Sequence, residues 1–311
     1  MSQSSPQIAV TPPPLCNSKK IRDEITKAFP QAVFNDRGRY LKEEELIEFA
    51  READGLLVGR DLISEKVLSD LPRLKIISKY GVGRDNLDQE ALNHHQVTLG
   101  WSGGVNRRSV AELTLCFMLS LCHNVHSGGE SLKQGRWVKD GGRLLEGKTV
   151  GIIGCGNIGK EVIDLLQPFG CSILVRDILD MAEFCREKLT RQVGFEEVMS
   201  RSDVVSLHVP LTEDTRHLVG REALAKMKPE AFLINTSRGE VVDEKALKDA
   251  LLSEKLAGAA LDVFATEPPE DLELLQCSRL TVTPHIGGNT VEAVEAMGRS
   301  ALGHLVNFFK G

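Results

Sequence analysis

At 311 residues the chain is long enough for two domains with separate cores, and its 38 lysines and arginines against 44 acidic residues leave a formal charge of -6. That balance argues against a nucleic-acid or membrane-surface role. Seven cysteines, scattered and without a C-x-x-C pair, argue against a disulfide framework or structural zinc and for a reducing cytoplasm.

The opening "MSQSSPQIAVTPPPLC" has no basic region before an apolar stretch, and its prolines interrupt any apolar core, so no secretion signal is expected. No run is long enough to span a bilayer. Short β-branched runs then alternate with amphipathic stretches, the pattern of helices packed on parallel sheets, so the class is α/β. In the first third the strand candidates are "IAVT" (8–11), "AVF" (32–34), "GLLV" (55–58), "LKIIS" (74–78) and "VTL" (97–99). Between them, "KEEELIEFARE" (42–52) places Leu46, Phe49 and Ala50 on one helical face.

A different region begins near Val105. From Val110 to Cys122 the chain is apolar nearly all the way round a helix, which predicts burial between layers or subunits. The polar stretch "HSGGESLKQGRWVKDGGRLLEGK" is expected to cross the surface or a subunit boundary. From Thr149 six strand candidates follow, "TVGII", "SILV", "VVSLHV", "FLIN", "GAALDV" and "LTVT", enough for a complete doubly wound sheet. The last segment places Val294, Met297, Ala301, Leu305 and Phe308 at helical spacing, a helix with one buried face.

The first of the six strands runs into Gly154-x-Gly156-x-x-Gly159, with Asn157 and Ile158 opening the next helix. The glycines suit a tight turn, room for a pyrophosphate and close helix–strand packing. The helix start then offers free amides and a positive dipole end to phosphates. Glycine-rich turns are common, but here the second strand ends in Asp177, 18 residues after Gly159, where a carboxylate can accept both ribose hydroxyls of an adenosine. The same charge opposes a 2′-phosphate, which favours NAD over NADP. Arg176 beside it could pair with such a phosphate, and an ordinary strand-end turn is the other reading of Asp177.

Three later strands end in polar residues, where ligands of open α/β sheets lie. "FLIN" leads to Arg238, "GAALDV" to Asp262 and then Glu267, and "LTVT" to Pro284 and His285. An arginine can hold a carboxylate through two hydrogen bonds and polarise the neighbouring carbonyl of a 2-keto acid. A histidine can give a proton to the carbonyl oxygen as hydride reaches carbon, and take it back in reverse. A glutamate on the other ring nitrogen fixes the ring and favours its charged form.

The motifs "GKTVGIIGCGNIGK", "SLHVPLTEDTRHLV", "FLINTSRGEVVDEKAL", "ALDVFATEPP" and "TPHIGG" together resemble the D-isomer-specific 2-hydroxyacid dehydrogenase family, over nearly the whole chain. The resemblance implies an NAD-dependent oxidoreductase that interconverts a D-2-hydroxy acid and its 2-keto acid. Arg238, Glu267 and His285 match the catalytic triad, and Asp262 the residue that holds the nicotinamide carboxamide. His208, Val209, Pro210, Thr215, Thr236 and Gly287 match positions lining the cofactor site. No metal is implied. The resemblance further implies a Rossmann-type NAD domain (104–284) inserted in a smaller flavodoxin-like α/β substrate domain (1–103 and 285–311), an active site in the cleft, and a homodimer joined through the NAD domains.

For the substrate, the loop in "ISKYGVGRDNLD" would hold the carboxylate through Val82 and Gly83, its glycines freeing backbone amides to approach a small anion. Lys79 sits where similar phosphoglycerate dehydrogenases carry an arginine against the substrate phosphate; a solvated strand-end lysine is the alternative. Trp101 departs from the family's small residue or proline. With no regulatory domain after Gly311, the pattern resembles the short D-3-phosphoglycerate dehydrogenases, with 3-phosphoglycerate as substrate. A glyoxylate or hydroxypyruvate reductase differs only in pocket detail. The C-terminal binding proteins, NADH-sensing corepressors, share the triad but have a longer tail. Glu267 argues against formate dehydrogenase, which carries glutamine there.

Overall fold

The computed structural model describes residues 5–139 and 141–311. The first four residues of the stretch read for a secretion signal, and Asp140 in the polar connection, lie outside the described residues. The chain divides into two compact units, Met1–Asn106 with Gly288–Gly311, and Arg107–Gly287. These boundaries fall three residues beyond the expected ones at 103/104 and 284/285. His285 thus belongs to the second unit rather than the returning segment, because its main chain is bonded to Asp262 there.

The first unit holds β1 (Ile8–Val10), β2 (Val33–Phe34), β3 (Gly55–Val58), β4 (Ile76–Lys79) and β5 (Thr98–Gly100), all parallel in the order β2-β1-β3-β4-β5. That is the flavodoxin-like order. The sheet is covered on both faces, so β1 and β3 are apolar without alternation, while β4 ends in the buried polar pair Ser78 and Lys79. One face packs on Leu46, Val67 and Leu92, the other on Ala293, Met297, Ala301 and Leu305 of the last helix, Val291–Lys310. Phe308 was expected on that buried stripe but is 41 % exposed. One helical turn beyond Leu305 the stripe falls on Phe309 instead, which meets Phe29 edge to face at 6.1 Å.

The second unit holds β6 (Thr149–Ile153), β7 (Ser172–Arg176), β8 (Arg191–Gln192), β9 (Val204–Leu207), β10 (Phe232–Asn235), β11 (Gly258–Leu261) and β12 (Leu280–Val282). The parallel order β12-β11-β10-β9-β6-β7-β8 is the doubly wound Rossmann arrangement, reversing between β6 and β9. The sequence suggested six strands. The seventh, β8, is two polar residues at a sheet edge, where no apolar run is needed.

The helix Arg107–Cys122 buries Val110, Ala111, Phe117, Met118 and Leu121 but leaves Glu112 and Cys116 exposed. Within the single chain, burial is therefore one-sided rather than all round. The polar connection contains a further helix, Val125–Lys133, with no buried residue. Gly128 and Gly129 inside it weaken its helical signal.

Candidate active site

At the end of β6 the chain turns sharply through Gly154, whose φ of +93° lies in the left-handed region that glycine tolerates. A Cβ there would lie 2.6 Å from the His208 carbonyl oxygen, and one at Gly159 only 2.1 Å from that of Gly154. The turn therefore packs tightly against β9 and against its own helix. Above Gly156, by contrast, nothing lies within 4 Å of the position a Cβ would take. The helix Asn157–Leu166 starts there without a side-chain cap, so its first amides remain for an anion. This open, donor-rich cradle fits the pyrophosphate of a dinucleotide.

Asp177 follows β7 directly. Its carboxylate accepts hydrogen bonds from the amides of Cys155 (2.6 Å) and Leu179 (2.9 Å). One bond on each oxygen orients the group and leaves lone pairs for two hydroxyls. The Arg176 side chain turns back to donate to the Asp177 carbonyl oxygen. Beyond β9, His208 Nε2 pairs with Ser206 Oγ at 2.9 Å. Its Nδ1 is shut off from solvent with no partner among the described residues, and burial pushes the imidazole down to about 3, so the ring is neutral. Thr215 Oγ1 closes the following turn on the Pro210 carbonyl at 2.6 Å, with Val209 just before it. Thr236 is buried, its hydroxyl 3.0 Å from that of Thr114.

The catalytic candidates stand on the loops after β10, β11 and β12. After β10, Asn235 ties the turn together: its Oδ1 accepts from the Ser237 amide and hydroxyl, and its Nδ2 donates to the Arg238 carbonyl at 2.7 Å. Arg238 stays half-buried, with Nη1 donating to the Ser237 carbonyl at 2.7 Å. At Gly239 a Cβ would fall 1.9 Å from the Phe264 carbonyl carbon. Only glycine lets the loop carrying Arg238 approach the loop leading to Glu267 so closely.

Asp262, 1 % exposed, ends β11. One carboxylate oxygen accepts from Thr283 Oγ1 (2.5 Å) and the Ile286 amide (2.7 Å), the other from the Gly287 amide (2.8 Å). These bonds fasten the segment bearing His285 to β11. His285 itself has φ +54°, an uncommon conformation for a non-glycine residue, held by its amide bonding to the carbonyls of Asp262 and Thr283. Its Nδ1 lies 2.9 Å from each oxygen of Glu267. Its Nε2 has no partner among the described residues. A carboxylate that holds Nδ1–H leaves Nε2 as the nitrogen able to exchange a proton with a ligand.

Glu244 was not singled out from the sequence. Its Oε1 accepts the Ala265 amide at 2.6 Å and so braces the turn before Glu267, while burial raises its carboxyl above the ordinary range. As the first residue of a helix it carries no sequence signal for that contact.

In the first unit, Lys79 is 6 % exposed and its ammonium donates to the Gly59 carbonyl, which excludes the solvated strand-end reading. The loop after β4 turns at Gly81 (φ +99°), and the amides of Val82 and Gly83 have no acceptor among the described residues. Trp101 Nε1 donates to the Val82 carbonyl at 3.1 Å.

The profile described as D-isomer specific 2-hydroxyacid dehydrogenase, NAD binding domain, matches residues 115–287. The chain is 39 % identical over 264 residues to a D-3-phosphoglycerate dehydrogenase of Methanocaldococcus jannaschii, a match covering 83 % of the chain but 50 % of that protein. It therefore spans about half the length of that relative. To a hydroxypyruvate reductase of Thermotoga maritima it is 36 % identical, covering 89 % of the chain and 94 % of the relative. Among solved structures, a D-lactate dehydrogenase of Aquifex aeolicus complexed with NAD and lactic acid superposes with a TM-score of 0.85 at 28 % identity, covering 98 % and 96 % of the two chains. No helix among the described residues is long and apolar enough to cross a membrane.

Proposed function

The chain belongs to the D-isomer-specific 2-hydroxyacid dehydrogenase family, and on that footing we propose that it interconverts a D-2-hydroxy acid and its 2-keto acid, with NAD as its redox partner. Bound NAD supplies or accepts the hydride. Gly154, Gly156, Asn157, Ile158 and Gly159 would hold its pyrophosphate and Asp177 its adenosine ribose, with His208, Val209, Pro210, Thr215, Thr236, Asp262 and Gly287 around the remainder.

The observation that carries the reading is the His285–Glu267 pair, with Nδ1 held by the carboxylate and Nε2 left for the reacting oxygen. In reduction Nε2–H gives its proton to the keto oxygen; in oxidation neutral Nε2 removes the hydroxyl proton. Glu267 fixes the ring by accepting from Nδ1. Arg238 binds the substrate carboxylate and polarises the carbonyl. Val82 and Gly83 offer amides to the same class of anion.

The substrate is a small 2-hydroxy acid such as 3-phosphoglycerate or the reduced form of hydroxypyruvate or glyoxylate, and Lys79, whose buried ammonium has N–H donors beyond the one given to Gly59, is the candidate for a substrate phosphate. NADH oxidation measured with phosphohydroxypyruvate, hydroxypyruvate, glyoxylate and pyruvate tests both levels. Turnover with none of them overturns the reaction class, and a preference for phosphohydroxypyruvate that Lys79→Ala leaves unchanged overturns the reading of Lys79.

The homodimer expected from the family is part of the same proposal. Val125, Leu132, Trp137 and Leu144 of the connecting stretch are each more than half exposed, an apolar surface suited to a second copy. Light scattering at micromolar concentration checks it. All seven cysteines are free, which suits a reducing cytoplasm.

A further inference from the structure

We propose that Trp101 is a positioning residue for substrate binding, setting the anion-binding loop Gly81–Arg84 and seating the Arg84 guanidinium on its indole face. This rests on the reading that the Val82–Gly83 loop takes the carboxylate of a small 2-keto acid.

Trp101 follows β5 directly, and β5 lies beside β4 in register, Gly100 opposite Ser78. The indole therefore stands next to the loop that leaves β4. Its Nε1–H donates to the Val82 carbonyl at 3.1 Å. That carbonyl and the Gly83 N–H belong to one planar trans peptide and point in opposite directions. Pinning the oxygen on the indole thus turns the Gly83 N–H away from Trp101, and this amide has no acceptor among the described residues.

Gly81 and Gly83 leave the loop free to rotate, so without this bond the peptide plane has little to hold it. The indole face has a second role. The Arg84 guanidinium carbon lies 4.4 Å from its ring centroid, a cation–π contact that holds an exposed side chain on the indole face. The assembled features are one aimed N–H and one positive charge on adjacent residues, a receptor for a small carboxylate.

Trp101→Phe keeps a ring under Arg84 and removes only the N–H. It should raise the KM for hydroxypyruvate and the inhibition constant of the non-reacting anion oxalate in parallel, by about 5- to 20-fold. The kcat should stay within about threefold, and NADH binding and melting temperature should not change. A fall in kcat at unchanged KM, or a loss of NADH binding, would instead mark a structural role and overturn the proposal.

Since Trp137 is the only other tryptophan, a Trp137→Phe background isolates the Trp101 fluorescence. Oxalate that perturbs this signal while Trp101→Phe leaves both constants unmoved overturns the positioning role and leaves the carboxylate loop standing. No fluorescence response and unmoved constants together remove the loop reading, and the proposal with it. If Trp101→Phe fails to fold, Arg84→Gln carries the test: a KM raised about 3- to 10-fold is expected, and an unchanged KM overturns the proposal.

Discussion

The His285 amide donates to the Asp262 carbonyl at 2.8 Å, and the Asp262 carboxylate holds the two amides that follow, Ile286 and Gly287. The acid–base candidate is thus fastened from both sides by one buried residue. Asp262→Asn keeps one acceptor oxygen but places a donor against donors. It should cost about 2 kcal/mol of stability and lower kcat more than it raises KM. Thermal unfolding alongside steady-state kinetics checks this; wild-type values of both would mean the carboxylate does not hold the segment.

Gly239→Ala should part the loops bearing Arg238 and Glu267. Its Cβ would meet the Phe264 backbone at 1.9 Å, and backbone cannot swing aside as a side chain does. A loss of roughly 3 kcal/mol in stability is expected, together with kcat/KM, while NADH binding at the β6 turn persists. Calorimetric melting and a cofactor titration separate the two effects.

Asp177→Ala should narrow the preference for NADH over NADPH by about 10- to 100-fold, the worth of hydrogen bonds to a charged group. The ratio of kcat/KM values reads it. A wild-type enzyme that already prefers NADPH would instead shift the role to Arg176.

His208 ties stability to pH. Its folded value, pushed down to about 3 by burial, lies below the ordinary histidine value of 6.5. The unfolded chain therefore takes up a proton that the folded one refuses as pH falls below 6.5, and stability drops across the window from there down toward 3. The loss by pH 5 should be about 2 kcal/mol. His208→Gln should flatten that slope in urea titrations at pH 7, 6 and 5; an unchanged slope would place the titration elsewhere.

Much of this was legible beforehand because burial on both faces forces parallel strands into apolar runs, and because ligand residues gather at strand ends. Arg238, Asp262 and His285 follow strands whose apolar pattern marks where they stop. Edge strand β8 and the glycine-bearing helix Val125–Lys133 escaped because neither needs a buried stripe. Glu244 braces Ala265 across 21 residues of chain, and Trp101 reaches Val82 across 19; such contacts exist only once the sheets are built. Asp262 was expected to hold the cofactor's carboxamide, and its bonds to Thr283, Ile286 and Gly287 show a structural duty that no motif displays.

We assign the proton transfer of both directions to His285 paired with Glu267, and pH profiles of kcat/KM for keto-acid reduction and hydroxy-acid oxidation decide it. Reduction needs the charged ring and oxidation the neutral one, so wild type should lose reduction as pH rises and lose oxidation as pH falls. Glu267→Gln keeps the shape but replaces the carboxylate that accepts from Nδ1, so kcat should fall by a similar factor in both directions. His285→Ala should abolish both limbs and lower kcat by about 100- to 10,000-fold. Wild-type kcat in both directions for Glu267→Gln, or limbs that survive in His285→Ala, would place the proton transfer on another group.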